Sequence, residues 1–453
     1  MKNRLLVLKD HIGVLLKEVS TKEQVIILAV LSIAFKILLD ISYAMRLEGR
    51  SYYFALDINI GKVIIGWIIC VILFSIIGFS KNRVSTFLNF MLFILQVIPI
   101  TCVYSLTNQN TTYYLLTSLM IFIVELLVLK VDIPKYSIKS KLLVKMRPFL
   151  SKGMVFSFYI GLLVLLLFLY VRNGAPSLIA LNMSRVYELR TMGGLQISKA
   201  LNLLLNWMIK IIIPFLLAKS MLDKRYYVSF LLVLSVLVLY LYTGAKTYFF
   251  MIPLVVICTC IGSHKDYLFY IFSILLLGSI LVMLVVLLLP PNFLFVNIYD
   301  YFIRRVMIVP AIVKFTWFEF FRYNDFAGIV NAFPDGMVNG INPYEGKVIG
   351  KVISEWAYGL PNMNANTGFL AEGFMMCGYI GLILVDLLYG IMVKIADVFE
   401  SKVGHQLAVG TLVYPFFILN DAFLFDELVL GYWTVVIFII FVYVNDKKSY
   451  DGN

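Results

Sequence analysis

The sequence predicts an all-α polytopic membrane protein of about 12 transmembrane helices with one long structured extracytoplasmic loop. Three observations predict it. Of the 453 residues, 61% are hydrophobic and only 14% charged, with a mean hydropathy of +0.92, whereas a soluble domain carries about a quarter charged residues. Apolar runs long enough to cross a bilayer recur along the chain. One stretch, residues 290–372, breaks the pattern: it carries Arg304, Arg305, Lys314, Glu319, Arg322, Asp325 and other charges among aromatics, glycines and asparagines. A long polar loop between spanning helices is more often functional than idle. We therefore expect one integral membrane domain over 1–453, with 290–372 as an extracytoplasmic loop subdomain.

The first two dozen residues are basic and amphipathic. LLVLKDHIGVLLKEV reads as an interfacial helix on the inner surface rather than a cleavable signal peptide. Spans follow at 24–43, 60–79, 86–106, 113–130, 153–171, 196–218, 226–243, 247–262, 267–289, 373–396, 406–420 and 428–445. Basic residues orient them. Lys2, Arg4, Lys9, Lys17 and Lys22, Lys81 with Arg83, the run from Lys135 to Lys152, Lys219 with Lys224 and Arg225, Lys402, and Lys447 with Lys448 all fall on one side if the helices alternate. The positive-inside rule makes that side the cytoplasm, with both termini inside. The outer side then holds 44–59, 172–195, the tip TGAK and the long loop. Within the loop, IYDYFIRRVMIVPAIVKFTWFEFFRY is apolar but interrupted by charges and Pro310, so we expect helices lying at or dipping into the outer interface.

The formal net charge of +12 would suggest nucleic acid in a soluble protein. Here topology explains it, and no basic-aromatic platform is visible. The five cysteines lie mostly inside apolar runs, without the spacing of a disulfide framework or zinc site. No internal repeat is evident, which weighs against an inverted-repeat transporter.

Three outer clusters could carry chemistry. In SRVYELR, Arg185, Glu188 and Arg190 stand on the side that the positive-inside bias disfavours for arginine; the alternative is an exposed ion pair. Lys246 ends TGAK, where it either roofs a site, with Gly244 allowing close backbone approach, or snorkels to the interface. Arg304 and Arg305 lie beside Tyr299, Asp300 and Tyr301. Paired guanidinium forks suit phosphate oxygens, although lipid headgroups would also satisfy them. Together these cations suit a ligand with an anionic head and a long apolar tail, such as a polyprenyl pyrophosphate.

Glu188, Glu319, Asp325, Glu355 and Glu372 are candidate general bases, of which Glu188 and Glu372 are singled out as catalytic. His11, His264 and His405 fall on the expected cytoplasmic side. No DxD-like acidic pair occurs in the outer loops, and no HExxH, GxSxG or P-loop motif occurs anywhere, so neither metal nor cofactor is expected. Among charges inside spans, Lys36 and Asp40 are expected to pair within one helix, and Lys210 and Asp386 could pair between helices.

With SRVYELR before a helix, LYTGAKTYFF, YDYFIRR at the start of the long loop and NANTGFLAEGFMMCGYIGLI re-entering the membrane, the chain resembles the Wzy-type oligosaccharide repeat-unit polymerases of O-antigen and capsule synthesis. The likeness covers roughly residues 150–395. It implies a GT-C-like membrane glycosyltransferase of the bacterial plasma membrane. Such an enzyme joins repeat units carried on undecaprenyl pyrophosphate at the outer face, amid membrane lipid and with a chain-length regulator protein as partner. Arg185, Arg190, Lys246, Arg304 and Arg305 match the family's basic outer positions. The related O-antigen ligases commonly carry a histidine in the large outer loop, which is missing here. Ligase and lipid-linked oligosaccharide flippase are the alternatives.

Overall fold

The computed structural model describes residues 20–49, 54–77, 83–130, 141–181, 198–290, 293–333, 342–361, 363–429 and 435. Among them the chain is all-helical, and the only extended pairing is an isolated bridge between Asp57 and Thr107. The helices are α1 (Thr21–Leu47), α2 (Ile60–Ile76), α3 (Val84–Leu106), α4 (Thr111–Lys130), α5 (Lys141–Asn173), α6 (Ala200–Leu222), α7 (Tyr226–Thr243), α8 (Lys246–Ile261) and α9 (Tyr267–Leu288). Then come α10 (293–323), α11 (Ile349–Tyr358), α12 (Phe369–Cys377), α13 (Tyr379–Val403), α14 (His405–Ile418) and α15 (Leu424–Val429). Among the described residues, six helical stretches are long and apolar enough to cross a membrane: α1, α3, Gly153–Asn173 of α5, α6, α7 and α9. Three shorter apolar helices, α2, α8 and α14, accompany them. The protein is a membrane protein.

Local chemistry starts these helices where the sequence signals them. At α1, the Ser20 backbone N–H donates to Glu23 Oε2 (2.8 Å) while Ser20 Oγ accepts from the Glu23 backbone (3.3 Å), a reciprocal capping box. Asn59 caps α2 by accepting from Lys62 N–H at 3.1 Å. Three π-helical segments, Phe93–Val97, Met208–Ile212 and Tyr299–Ile308, each end just ahead of a proline: Pro99, Pro214 and Pro310. Proline cannot donate to the preceding turn and its ring crowds that turn's carbonyl, so widening the helix there relieves the conflict.

α3 is the central helix and is buried along its span. Its start is held by α13: Val84 and Ser85 N–H donate to Glu400 Oε2 (2.8 Å) and Asp397 Oδ1 (2.9 Å). Tyr267 and His405 have ring centroids 5.3 Å apart at the same end of the bundle. Arg83, the α6–α7 corner with Lys224 and Arg225, Lys402 and both described histidines gather at that end, which we call the basic face. At the opposite end, the loop face, Tyr242 Oη donates to Gly174 O (2.7 Å) and Arg46 Nη2 to the carbonyls that end α9.

α10 runs across the loop face. Near its start, Tyr299 Oη donates to Ser42 O at the end of α1 (3.4 Å). Farther on, Phe318 stacks on Tyr113 in the first turn of α4, centroids 4.4 Å apart. Both contacts lie at one end of the bundle, and between them the stretch 310–315 is buried.

One expected span is interrupted. The stretch 373–396 is not one helix: the chain reverses at Gly378 (φ +67°). As a result α12 folds back along α13, and Phe369 stacks on Tyr389, centroids 4.8 Å apart. The two backbones meet so closely that a Cβ on Gly381 would sit 2.0 Å from Gly373 O, leaving room only for glycine. The expected span 406–420 corresponds to α14, which ends at Ile418; the chain turns over residues 419–423, a break in the helical path, and restarts as α15. Most of the expected last span, 428–445, lies outside the described residues.

Candidate functional site

The break at 419–423 is the structural centre of the site, because three residues of the long loop, on α10 and α12, hold it. Asn420 Nδ2 donates to Val306 O in the π-helical part of α10. From the next part of α10, Lys314 Nζ donates to Asn420 O at 3.1 Å. Glu372 on α12 accepts from the Leu424 N–H (2.6 Å) and the Phe425 N–H (3.1 Å), capping α15. The Lys314 and Glu372 bonds satisfy backbone groups at helix ends, and the Asn420 bond serves Val306 O, whose usual donor four residues on is missing at Pro310. The cation at the end of α14 and the anion at the start of α15 also complement the helix dipoles. Behind the break, Lys210 Nζ meets Glu427 Oε1 at 2.6 Å.

The expected cations lie around this centre. Gly244 ends α7 in the left-handed region (φ +61°), so α8 starts at once with Lys246. Lys246 Nζ donates to Tyr301 Oη (3.1 Å) and sits 4.5 Å from the centroid of the Tyr301 ring. Tyr301 and Arg305 are four positions apart on α10 and share a face of it, which brings Lys246 and Arg305 to the same side. The two adjacent arginines have different surroundings. Arg304 Nε donates to Asp300 Oδ1 at 3.2 Å. Arg305 is exposed, with no hydrogen bond from its guanidinium among the described residues. Lys246, Arg304 and Arg305 are thus brought to one region of the loop face. Arg185, Glu188 and Arg190 lie outside the described residues.

Glu372, a candidate base on sequence grounds, is fully buried with both oxygens taken by backbone N–H groups, so the geometry makes it a helix cap. Glu319 faces Arg322 at 3.6 Å near the far end of α10. That end borders an open cavity of about 350 Å³, lined in part by Arg322, Phe326 and Tyr379 and separate from the gathered cations. Lys36 and Asp40 pair within α1 as expected. Lys210 pairs with Glu427 rather than Asp386, because its helix faces α15 while Asp386 on α13 lies near Tyr113 of α4. Asp386 Oδ2 is buried without a hydrogen-bond partner among the described residues.

Sequence reasoning missed Asp421. It sits in the break at an exposed position, with its carboxyl group packed among protein atoms and taking no hydrogen bond among the described residues. The protein around it still raises its pKa to about 6 by desolvation, against the opposing charges of Lys314 and Arg305. Lys314 is buried and shifted down to about 8, again chiefly by desolvation. The only sequence signal was the polar pair Asn420–Asp421 interrupting an apolar run.

Comparison with family models, curated proteins and solved structures returns no match to this chain. Fold and site define a helical membrane protein with a cluster of cations on its loop face, set around a broken helix.

Proposed function

We propose that this protein is a membrane glycosyltransferase that polymerises undecaprenyl-pyrophosphate-linked oligosaccharide repeat units at the outer face of the plasma membrane, as its resemblance to the Wzy-type polymerases implies. The observation that carries the reading is the gathering of Lys246, Arg304 and Arg305 beside the broken helix, on the face that bears the long loop. A pyrophosphate head would meet an exposed guanidinium there, while its polyprenyl tail stays in lipid. Cations fixed at the point where charge builds on the leaving pyrophosphate would lower the barrier to transfer. The test is incubation of the purified protein with lipid-linked repeat units and a gel read-out of product length. A ladder that grows without nucleotide sugar is expected. Transfer to a different acceptor would indicate a ligase, and movement of unaltered units across a vesicle membrane a flippase.

Two further results are expected. A reporter active only outside the cell works when fused near Asn339, and a cytoplasmic reporter works near Lys141; residue 339 inside would remove the basis of the reading. Polymerisation also persists in chelator, because arginine and lysine are placed to meet the leaving pyrophosphate. Activity lost in chelator and restored by magnesium or manganese would count against that role.

A further inference from the structure

We infer that Asp421 is the catalytic base of the transfer, accepting the proton of the attacking sugar hydroxyl; this rests on the polymerase reading above. Four observations converge. Asp421 is an exposed residue of the break whose carboxylate takes no hydrogen bond among the described residues, next to Asn420, whose backbone carbonyl and side-chain nitrogen are engaged. Glu372, the base expected from the sequence, is buried and committed to the Leu424 and Phe425 N–H groups. The neighbouring Glu427 is occupied by Lys210. Finally, Asp421 lies close enough to Arg305 and Lys314 to feel both charges, so a base and a cation for the leaving group stand in one site.

The break itself is rigidly placed. Val306 O, Lys314 and Glu372 grip residues 420, 424 and 425 from two helices, α10 and α12, and the Asp421 carboxylate lies between these points with no hydrogen bond among the described residues. A general base needs this combination of access and a fixed origin. Its carboxyl, raised toward neutrality by the protein around it, is also a better proton acceptor than an ordinary surface aspartate.

The step balances as follows. The acceptor O–H proton passes to an Asp421 carboxylate oxygen as the acceptor oxygen forms a bond to the donor's anomeric carbon. The bond from that carbon to the pyrophosphate oxygen breaks, and its electron pair leaves with the lipid pyrophosphate beside Arg305. The proton on Asp421 is then released to solvent, which reaches this residue.

The experiment compares wild type, Asp421→Asn and Asp421→Glu for chain elongation and, separately, for binding of a radiolabelled lipid-linked repeat unit. Asp421→Asn is expected to slow elongation by roughly a hundred- to ten-thousandfold, with binding kept within about threefold, since the asparagine amide leaves the cations in place. Asp421→Glu restores a base on a longer arm and is expected to elongate at least about tenfold faster than Asp421→Asn. It keeps the charge opposite Lys314 and carries the test if the asparagine variant folds poorly. Elongation by Asp421→Asn near the wild-type rate overturns the inference, as does a folded Asp421→Glu no faster than Asp421→Asn. Binding lost in step with elongation also overturns it. If wild type itself builds no polymer from lipid-linked units, the polymerase reading is what fails, a result separate from any difference between variants.

Discussion

Arg305→Ala is expected to lower polymer yield by roughly ten- to a hundredfold at matched membrane levels, the loss of one charge-assisted contact of about 1.5–3 kcal/mol. Arg305 is exposed and its guanidinium is uncommitted among the described residues, so its removal disturbs little packing. Arg305→Lys separates two explanations. Lysine keeps the charge but loses the planar fork that meets two phosphate oxygens at once. If the fork matters, the lysine variant stays well below wild type; near-normal polymer would leave only an electrostatic role. Arg304 responds differently because Asp300 holds it at 3.2 Å. Its guanidinium is already engaged by the fold, so Arg304→Ala is expected to be milder than Arg305→Ala in activity. A larger effect at Arg304 than at Arg305 would reverse the order in which the two meet the ligand.

Glu372→Ala is expected to destabilise the fold rather than the chemistry alone. The carboxylate is fully buried and takes two backbone donors at the start of α15. Removing it leaves two buried N–H groups unsatisfied, at about 1–3 kcal/mol each. The expected result is a lower melting temperature in detergent and a smaller folded yield, with activity per folded molecule less affected. Glu372→Gln should fall between, because its one carbonyl oxygen can serve one donor while its NH2 opposes the other. A variant that melts like wild type yet makes no polymer would return Glu372 to the catalytic role expected from the sequence.

Much of the architecture is legible in the sequence because lipid imposes a simple condition. Backbone groups in a bilayer must be satisfied within the segment, so apolar runs of sufficient length become helices. The strong runs at 24–43, 86–106, 226–243 and 267–289 correspond to α1, α3, α7 and α9. The helix around Pro310 and the position of Lys246 at a tight corner were also readable, the latter from Gly244. Pro310 announces a disturbed helix, although not its consequence for Arg304 and Arg305.

Hydropathy placed the end of the span 406–420 close to where α14 stops, but it could not show the reversal at Gly378, because α12 is bordered by apolar residues that look the same in either direction of travel. The reversal at Gly378 depends on Gly373 and Gly381 meeting across the hairpin. The break depends on Val306, Lys314 and Glu372, which lie between 52 and 114 residues before the groups they hold. Pairings at such separations leave no local pattern, and for that reason Lys210 finds Glu427 and not Asp386. By itself the sequence determined that this is a membrane protein of many helices, with basic residues gathered at one end and a charged loop set among its apolar spans. Only the tertiary structure decided which charges are consumed by the fold, as with Glu372, Lys314 and Arg304, and which stay open to a ligand, as with Arg305 and Asp421. The physical reason is that a span needs only local apolarity, whereas the availability of a charge depends on which distant partners reach it first.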